Sequence, residues 1–403
     1  MRPSVIRLPV IACLIALAGP AGAQGLSAEI GTKGLTAVEA RLAALPAPTN
    51  ADRFALGGVR FLRTVEGAVQ RRWQHGVTDS MAMLPFLRLP LDENPAPAAF
   101  APEVIADLFR DVAAGMADAR APLAGIADGA EFGVEIALAD LWFDVNANGT
   151  RDAGEDLLQI AGPMILGWRW DQRDPAAALP VIRFDSADAA WLTAYTHLLG
   201  GLAQTVLAFD PTAPLARMMQ ARVGLADLRG PAPTPGGFHD SFGDFADYAY
   251  VVIEALRQPP DAERMAQVQG HLLAMVANNR RFWTLVATET DNDREWLPSD
   301  RQTSALGLVV PQGTGAVWQA VLVDLEAVAK GDKLVPYWRA GPAAGVNLGK
   351  YFANPAPVDL PGWIQGASAL PYLDRGAVID GQSWAAFNGL VQGEAMLFSI
   401  LLN

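Results

Sequence analysis

DSADAAWLTAYTHLLGGLAQTVLAF, residues 185–209, is the stretch that decides the fold class. Trp191, Tyr195, Leu198, Leu202, Val206 and Phe209 recur every three or four positions, a helical stripe; a strand would need strict alternation. Asp185 or Ser186 stands in front of it as a capping residue whose oxygen can take one of the free N–H groups of the first turn.

The same period extends outward. In TNADRFALGGVRFLRTVEGAVQRRW, Val59, Leu62, Val69 and Trp73 share a face behind Thr49 or Asn50 as cap. In DAERMAQVQGHLLAMVANNRRFWTLV the stripe runs through Met265, Val268, Leu272, Met275, Phe282 and Val286. Shorter helices are expected over about 34–45, 102–118, 244–257, 315–330 and 383–401. Strand signals are confined to FGVEIALADLWF, with Val134, Ile136 and Leu138 alternating, and to LPVIRF, residues 179–184. The expectation is a mainly α, helical globular protein with long Gly/Pro/aromatic loops and at most a small β element.

The chain begins with Arg2 and Arg7, an apolar run from about Leu8 to Ala18, and Ala21-Gly22-Ala23. That order describes a secretory signal peptide over 1–23, cut after Ala23. Val10-Ile11-Ala12-Cys13 allows a lipid-attachment reading, but most of the apolar run follows Cys13. With the leader removed, the mature region 24–403 has no cysteine, because Cys13 is the only one, so no disulfide framework is available. No later segment has the length and apolarity of a membrane span. The expected location is the periplasm or the cell exterior.

The whole chain carries a net charge of −13, and losing Arg2 and Arg7 makes the mature part more acidic still. Such a surface repels nucleic acid and anionic membranes and attracts cations. LRGPAPTPGGFHDSFG, residues 228–243, is the most linker-like stretch and marks a possible division of the mature region into two parts. A second irregular stretch, roughly 335–381, is too rich in Tyr337, Trp338, Tyr351, Phe352, Trp363 and Tyr372 to be disordered.

One motif carries chemistry. DVNANGTRDAGE, Asp144 to Glu155, meets every element of D-x-[DN]-x-[DN]-G-x5-E. Calcium needs six to eight hard oxygens, and a short loop supplies them when alternate residues point inward. Asp144, Asn146 and Asn148 would offer side-chain oxygens, Thr150 its carbonyl, Asp152 a ligand through water, and Glu155 two oxygens, with Gly149 at the sharp turn. The bland alternative is an Asn148-Gly149 turn in a polar loop with no metal.

The stretch resembles EF-hand-type loops, especially the single loops of dockerin modules and of bacterial surface adhesins. The resemblance covers only residues 144–155 and implies Ca2+, not an overall fold. It departs from paired EF-hands at Arg151, where those loops carry an aliphatic residue that bridges to a partner loop, and the chain has no second matching loop. A solitary site of modest affinity, fastening the structure, is therefore expected. Trp142 and Phe143 ahead of the loop read as core anchors, and EDLLQIAG after it as a short helix stopped at Gly162-Pro163.

No zincin, α/β-hydrolase, P-loop or di-iron pattern occurs. The four histidines are scattered singly and read as structural. Glu66 and Glu394 interrupt core stripes, where a carboxylate would be either ion-paired or shifted toward acid–base use. Glu289, Asp291, Asp293 and Glu295 alternate after a helix like half of a cation loop, with Trp296 where a turn glycine should stand. Facing Trp338, Tyr351, Trp363 and Tyr372, they would suit a glycan or peptide. Two functional expectations follow: an exported soluble calcium-binding protein whose calcium is structural, or a periplasmic or secreted hydrolase acting on glycan or peptide through carboxylates.

Overall fold

The structure is a computed structural model that describes residues 22–77, 86–87, 89–167, 169–174, 177–229 and 238–402. Residues 1–21, which include Cys13 and most of the signal peptide expected over 1–23, lie outside the described residues, as do positions 230–237 of the linker-like stretch. Helices dominate: α1 (Gly22–Ala43), α2 (Asn50–Gln74), α3 (Glu103–Leu123), α4 (Leu157–Leu166), α5 (Arg169–Gln172), α6 (Ser186–Ala208) and α7 (Thr212–Arg229). After these come α8 (Phe238–Leu256), α9 (Ala262–Val286), α10 (Thr314–Lys330), α11 (Leu348–Ala353), α12 (Leu360–Gln365), α13 (Gln382–Leu390) and α14 (Ala395–Leu402). The protein is mainly α, as the period implied.

The strands are short. β1 (Val134–Ala137) pairs antiparallel with β2 (Val181–Phe184), so the two weak strand signals are each other's partners, with Glu135 opposite Arg183. A second sheet of two- and three-residue strands, β3 (Val335–Pro336), β4 (Ala344–Val346) and β5 (Leu373–Arg375), orders the aromatic stretch.

Helix α6 is the centre: α3 packs on one side of it and α9 on another, with α2 on α3, α1 on α2, and α10 on α9. Asp185 is its cap, accepting from the Ala187 N–H at 2.9 Å while the Asp188 carboxylate takes the Asp185 N–H at 2.9 Å, a reciprocal capping box. Its driest face is not the large-residue stripe. Ala187, Ala190, Ala194, Gly200, Gly201 and Ala203 are buried, whereas Trp191, Tyr195, Leu198, Leu202 and Val206 are half-buried. The reason is proximity: a Cβ on Gly200 or Gly201 would lie 2.9 or 3.1 Å from the His271 side chain, so α9 approaches only because those positions lack one.

Other boundaries moved for local reasons. The helix expected from about residue 34 continues backward to Gly22, with a break at Gly34 (φ 75°), where the Trp142 ring packs against the backbone. The helix α4 does not stop at Gly162-Pro163; Pro163 is inside it and Gly167 (φ 56°) ends it. The single helix expected over 383–401 is two, α13 and α14, because Gln392 (φ 54°) and Gly393 (φ 90°) turn the chain between them.

Four apolar clusters form the core. The first joins α1, α2, β1, β2 and α4 around Phe143, which is 1% exposed. In the second, Ala187, Ala190 and Ala194 meet Phe282 and Trp283 of α9, Trp318 of α10, and Phe387 and Phe398 of the C-terminal helices, so residues from both sides of 228–243 share it.

Candidate functional site

The twelve-residue loop hangs between the first cluster's β1 segment and α4. Trp142 and Phe143 are buried before it, and the Trp142 indole N–H donates to the Ile30 carbonyl at 3.0 Å. Loop entry and exit are closed on each other: the Phe143 N–H donates to the Glu155 carbonyl at 2.9 Å and the Leu157 N–H to the Leu141 carbonyl at 2.9 Å.

Inside, the side chains at the expected ligand positions fold inward onto the loop's own backbone. The Asp144 carboxylate accepts from the Asn148 and Gly149 N–H groups, each at 2.9 Å. Asn146 Oδ1 accepts from the Asn148 N–H at 3.0 Å, and Asn148 Oδ1 from the Thr150 N–H at 2.7 Å. Amide groups of Asn146 and Asn148 both reach Asp152 Oδ2, at 2.8 and 2.7 Å, and hold its carboxyl below the usual carboxylate range. Glu155, only 4% exposed, accepts from the Val145 and Asp152 N–H groups, each at 2.8 Å. Gly149 takes the positive φ of 78° that the turn requires, and Ala147 one of 57°.

In kind, these donors fit a hard cation: three carboxylates, two amide oxygens and the Thr150 carbonyl. Among the described residues, however, no three His, Cys, Asp or Glu side chains form a group arranged to hold a metal ion. The loop's acids are interleaved with neutral donors, so its donor set is not an all-acid one. Arg151 is a local staple, 2.9 Å from Asp156 and donating to the Ala139 carbonyl at 2.8 Å.

Glu66 belongs to this loop. It is 2% exposed on α2, its Oε1 accepts the Asp144 N–H at 2.9 Å, and its other oxygen pairs with Arg63. Burial raises its pKa, opposed by the Asp144 N–H and by Arg63. One turn on, Gln70 donates to the Asp144 carbonyl at 2.6 Å, a contact the apolar period gave no hint of. A cleft of about 420 Å3 lies beside the loop, between Trp73, Leu91 and Asp92 and the loop residues Asp152, Gly154 and Glu155.

The second acidic site is larger than the alternating run 289–295. Arg183 on β2 sits among Asp185, Asp291 and Asp293, at 4.0, 3.6 and 3.5 Å. Asp188, 5% exposed behind the capping box, has its pKa raised well above the ordinary value by burial and by Asp185, Glu289 and Glu295. Burial, with neighbouring acids, also raises Asp185 and Glu295 and pushes Glu289 up to about 7. Glu289 accepts from Gln302 at 3.0 Å, and Glu295 from the Asp293 N–H at 2.9 Å. Asp185 and Asp188 escape a sequence reading because they announce themselves only as a helix start.

Two expectations are corrected. Glu394 is not on a core stripe: it lies at the α13–α14 break, half-buried, with its carboxylate 2.9 Å from Arg169. The histidines are not all solitary: His197 and His271 bring their Nδ1 atoms to 3.0 Å between α6 and α9. Burial, then Arg120 and His271, pushes His197 down to about 4, and burial with Arg120 lowers His271.

The aromatic stretch is not an open platform. Trp363 and Tyr372 stack at 5.7 Å, and Tyr351 meets Tyr372 edge-on at 5.1 Å, while Trp338 is 72% exposed. Among the described residues no helix is long and apolar enough to cross a membrane. Compared with known proteins, the chain matches no family model, no curated protein and no solved structure.

Proposed function

We propose that this is an exported calcium-binding protein in which one Ca2+, held by Asp144, Asn146, Asn148, Thr150, Asp152 and Glu155, fastens the junction between β1 and α4. The observation that carries the reading is the loop's attachment: its first ligand residue is gripped by Glu66 and Gln70 of α2, and its last is buried among core residues. A cation there would draw together and neutralise the loop's three acids, Asp144, Asp152 and Glu155, and help to hold a disulfide-free chain together. Extracellular loops of this kind bind calcium at roughly 10⁻⁴–10⁻³ M. At a free calcium ten times the Kd, binding stabilises the fold by about 1.4 kcal/mol.

Thermal unfolding of the mature protein with calcium and with chelator tests this. The expected result is a fall of a few degrees on chelation that Glu155→Gln abolishes; an identical melting curve in both conditions sinks the proposal. A second reading, a hydrolase acting on glycan or peptide, is favoured by one observation, the carboxyl of Glu289 held near neutrality amid Asp185, Asp188 and Glu295. An acid in that range suits proton transfer at neutral pH. Turnover of a glycan or peptide substrate that Glu289→Gln leaves intact would dispose of it.

A further inference from the structure

Asn-Gly occurs twice in the chain, at 148–149 in the twelve-residue loop and at 388–389. The pair has a chemistry of its own, because a glycine carries no Cβ to keep its backbone nitrogen away from the preceding asparagine's side-chain carbonyl carbon. Both asparagines are exposed, so access of water does not separate them; the backbone does. Asn388 and Gly389 lie within α13, where each N–H is directed along the helix axis at the carbonyl one turn back. The Asn388 carbonyl is also tied down by the Gly393 N–H at 2.9 Å. Ring closure there first requires the helix end to unwind.

At Asn148 the reacting groups are already placed. The Gly149 N–H donates to Asp144 Oδ2 at 2.9 Å, so an acceptor for its proton stands beside the nitrogen. Nothing lies within 4 Å of where a Cβ on Gly149 would be, which leaves room for a ring. The Asn148 Oδ1 accepts from both the Thr150 N–H and the Thr150 hydroxyl, at 2.7 and 2.6 Å. Two donors on one oxygen draw electron density from Cγ and are positioned to hold the negative charge that attack puts on that oxygen.

The geometry points to Asn148 as a self-modification site, at which the loop's own groups turn an amide into an acid. The Gly149 nitrogen bonds to Asn148 Cγ, the Cγ–Nδ2 bond breaks, and Nδ2 leaves as ammonia with the proton that Gly149 gave up. Water then adds to either carbonyl of the cyclic imide and splits its C–N bond, leaving aspartate or isoaspartate. Overall an amide and water become an acid and ammonia, with no change of oxidation state. The aspartate product carries a charge where the loop had a donor: before reaction Asn148 Nδ2 donates to Asp152 Oδ2 at 2.7 Å, and afterwards two like charges face each other. On the calcium reading, on which this consequence alone rests, the added acid tightens the hold on the cation.

Peptide mapping by mass spectrometry of the mature protein, kept folded in mildly alkaline buffer with chelator, follows both pairs. Asn148 should convert at least about tenfold faster than Asn388, whereas in denaturing urea the two rates should converge. Thr150→Val removes one donor from Oδ1 in an exposed part of the loop and should slow Asn148 about three- to tenfold. Equal rates at the two pairs in the folded protein, or a Thr150→Val rate like the parent's, overturns the proposal. Calorimetry with Asn148→Asp reads the consequence: calcium binding no tighter than the parent's overturns that consequence alone. Absence of binding by either protein counts against the calcium reading and leaves the modification standing.

Discussion

Acidification should loosen the α6–α9 contact, and the histidine pair sets the range. His197 and His271 share one hydrogen bond at 3.0 Å between Nδ1 atoms, so one ring donates and the other accepts. The first proton can be added without breaking that bond, but the second puts a hydrogen on both facing nitrogens. Arg120 of α3, which donates to the Thr196 carbonyl at 3.1 Å, adds a third cation to the junction. The unfolded chain takes up protons near the ordinary 6.5, while folded His197 resists until about 4. The penalty is absent above 6.5, grows as pH falls from 6.5 to about 4, and is complete below that.

In a dry site the difference between 6.5 and about 4 would amount to about 3 kcal/mol. His197 keeps part of its ring in water, so half of that, about 1.5 kcal/mol, is the better figure. For a chain of this size that corresponds to roughly 2 °C in Tm. The assay compares Tm between pH 7 and pH 4.5 for the parent protein and for the double variant His197→Gln, His271→Gln, whose amides can still pair but do not titrate. The carboxylates are common to both, so the difference between the two pH profiles isolates the pair. The parent should lose about 1–2 °C more than the variant over this span, because the penalty is not yet complete at pH 4.5. Parallel profiles, or an NMR titration placing His197 near 6.5, would refute the reasoning.

Glu289 works in the opposite direction: with its folded pKa pushed up to about 7 by burial and by neighbouring acids, its contribution is fully present below 4.5 and lost as pH rises through 7. Glu289→Gln should therefore flatten Tm between pH 4.5 and 7, and an unchanged profile tells against the assignment. Glu66→Ala strips the Asp144 N–H of its acceptor and Arg63 of its partner, and should cost about 2–3 kcal/mol in a urea titration. The same variant should bind calcium more weakly than the parent by calorimetry; full retention would show that α2 does not shape the loop. Gly34→Ala forces a Cβ to 3.1 Å from the Trp142 ring at φ 75°, and should cost about 1–3 kcal/mol by chemical denaturation. A neutral result there would mean that α1 can straighten through the break.

What the sequence disclosed divides along chain separation. Most of the long helices and the donor series of Asp144 to Glu155 are local patterns that period and spacing expose, whereas α7 and the short α5, α11 and α12 were not expected. The face of α6 misled because large residues mark where space is left beside a helix, whereas Ala190, Ala194, Gly200 and Gly201 mark where another helix comes closest. The pairing of His197 with His271 spans 74 residues and that of Glu66 with Asp144 spans 78, and no local pattern reports such meetings. Yet Glu66 was visible as a charge interrupting an apolar stripe, and the loop was visible as a ligand series. Their union has an energetic meaning neither had alone. Because the carboxylate that breaks the α2 stripe accepts the Asp144 N–H, any shift of α2 must release that bond, and any reshaping of the loop must pull on a buried acid paired with Arg63. On the proposed reading, calcium-binding energy spent on closing the loop is shared with the helix packing and, through the buried Val145 and Glu155, with the core itself.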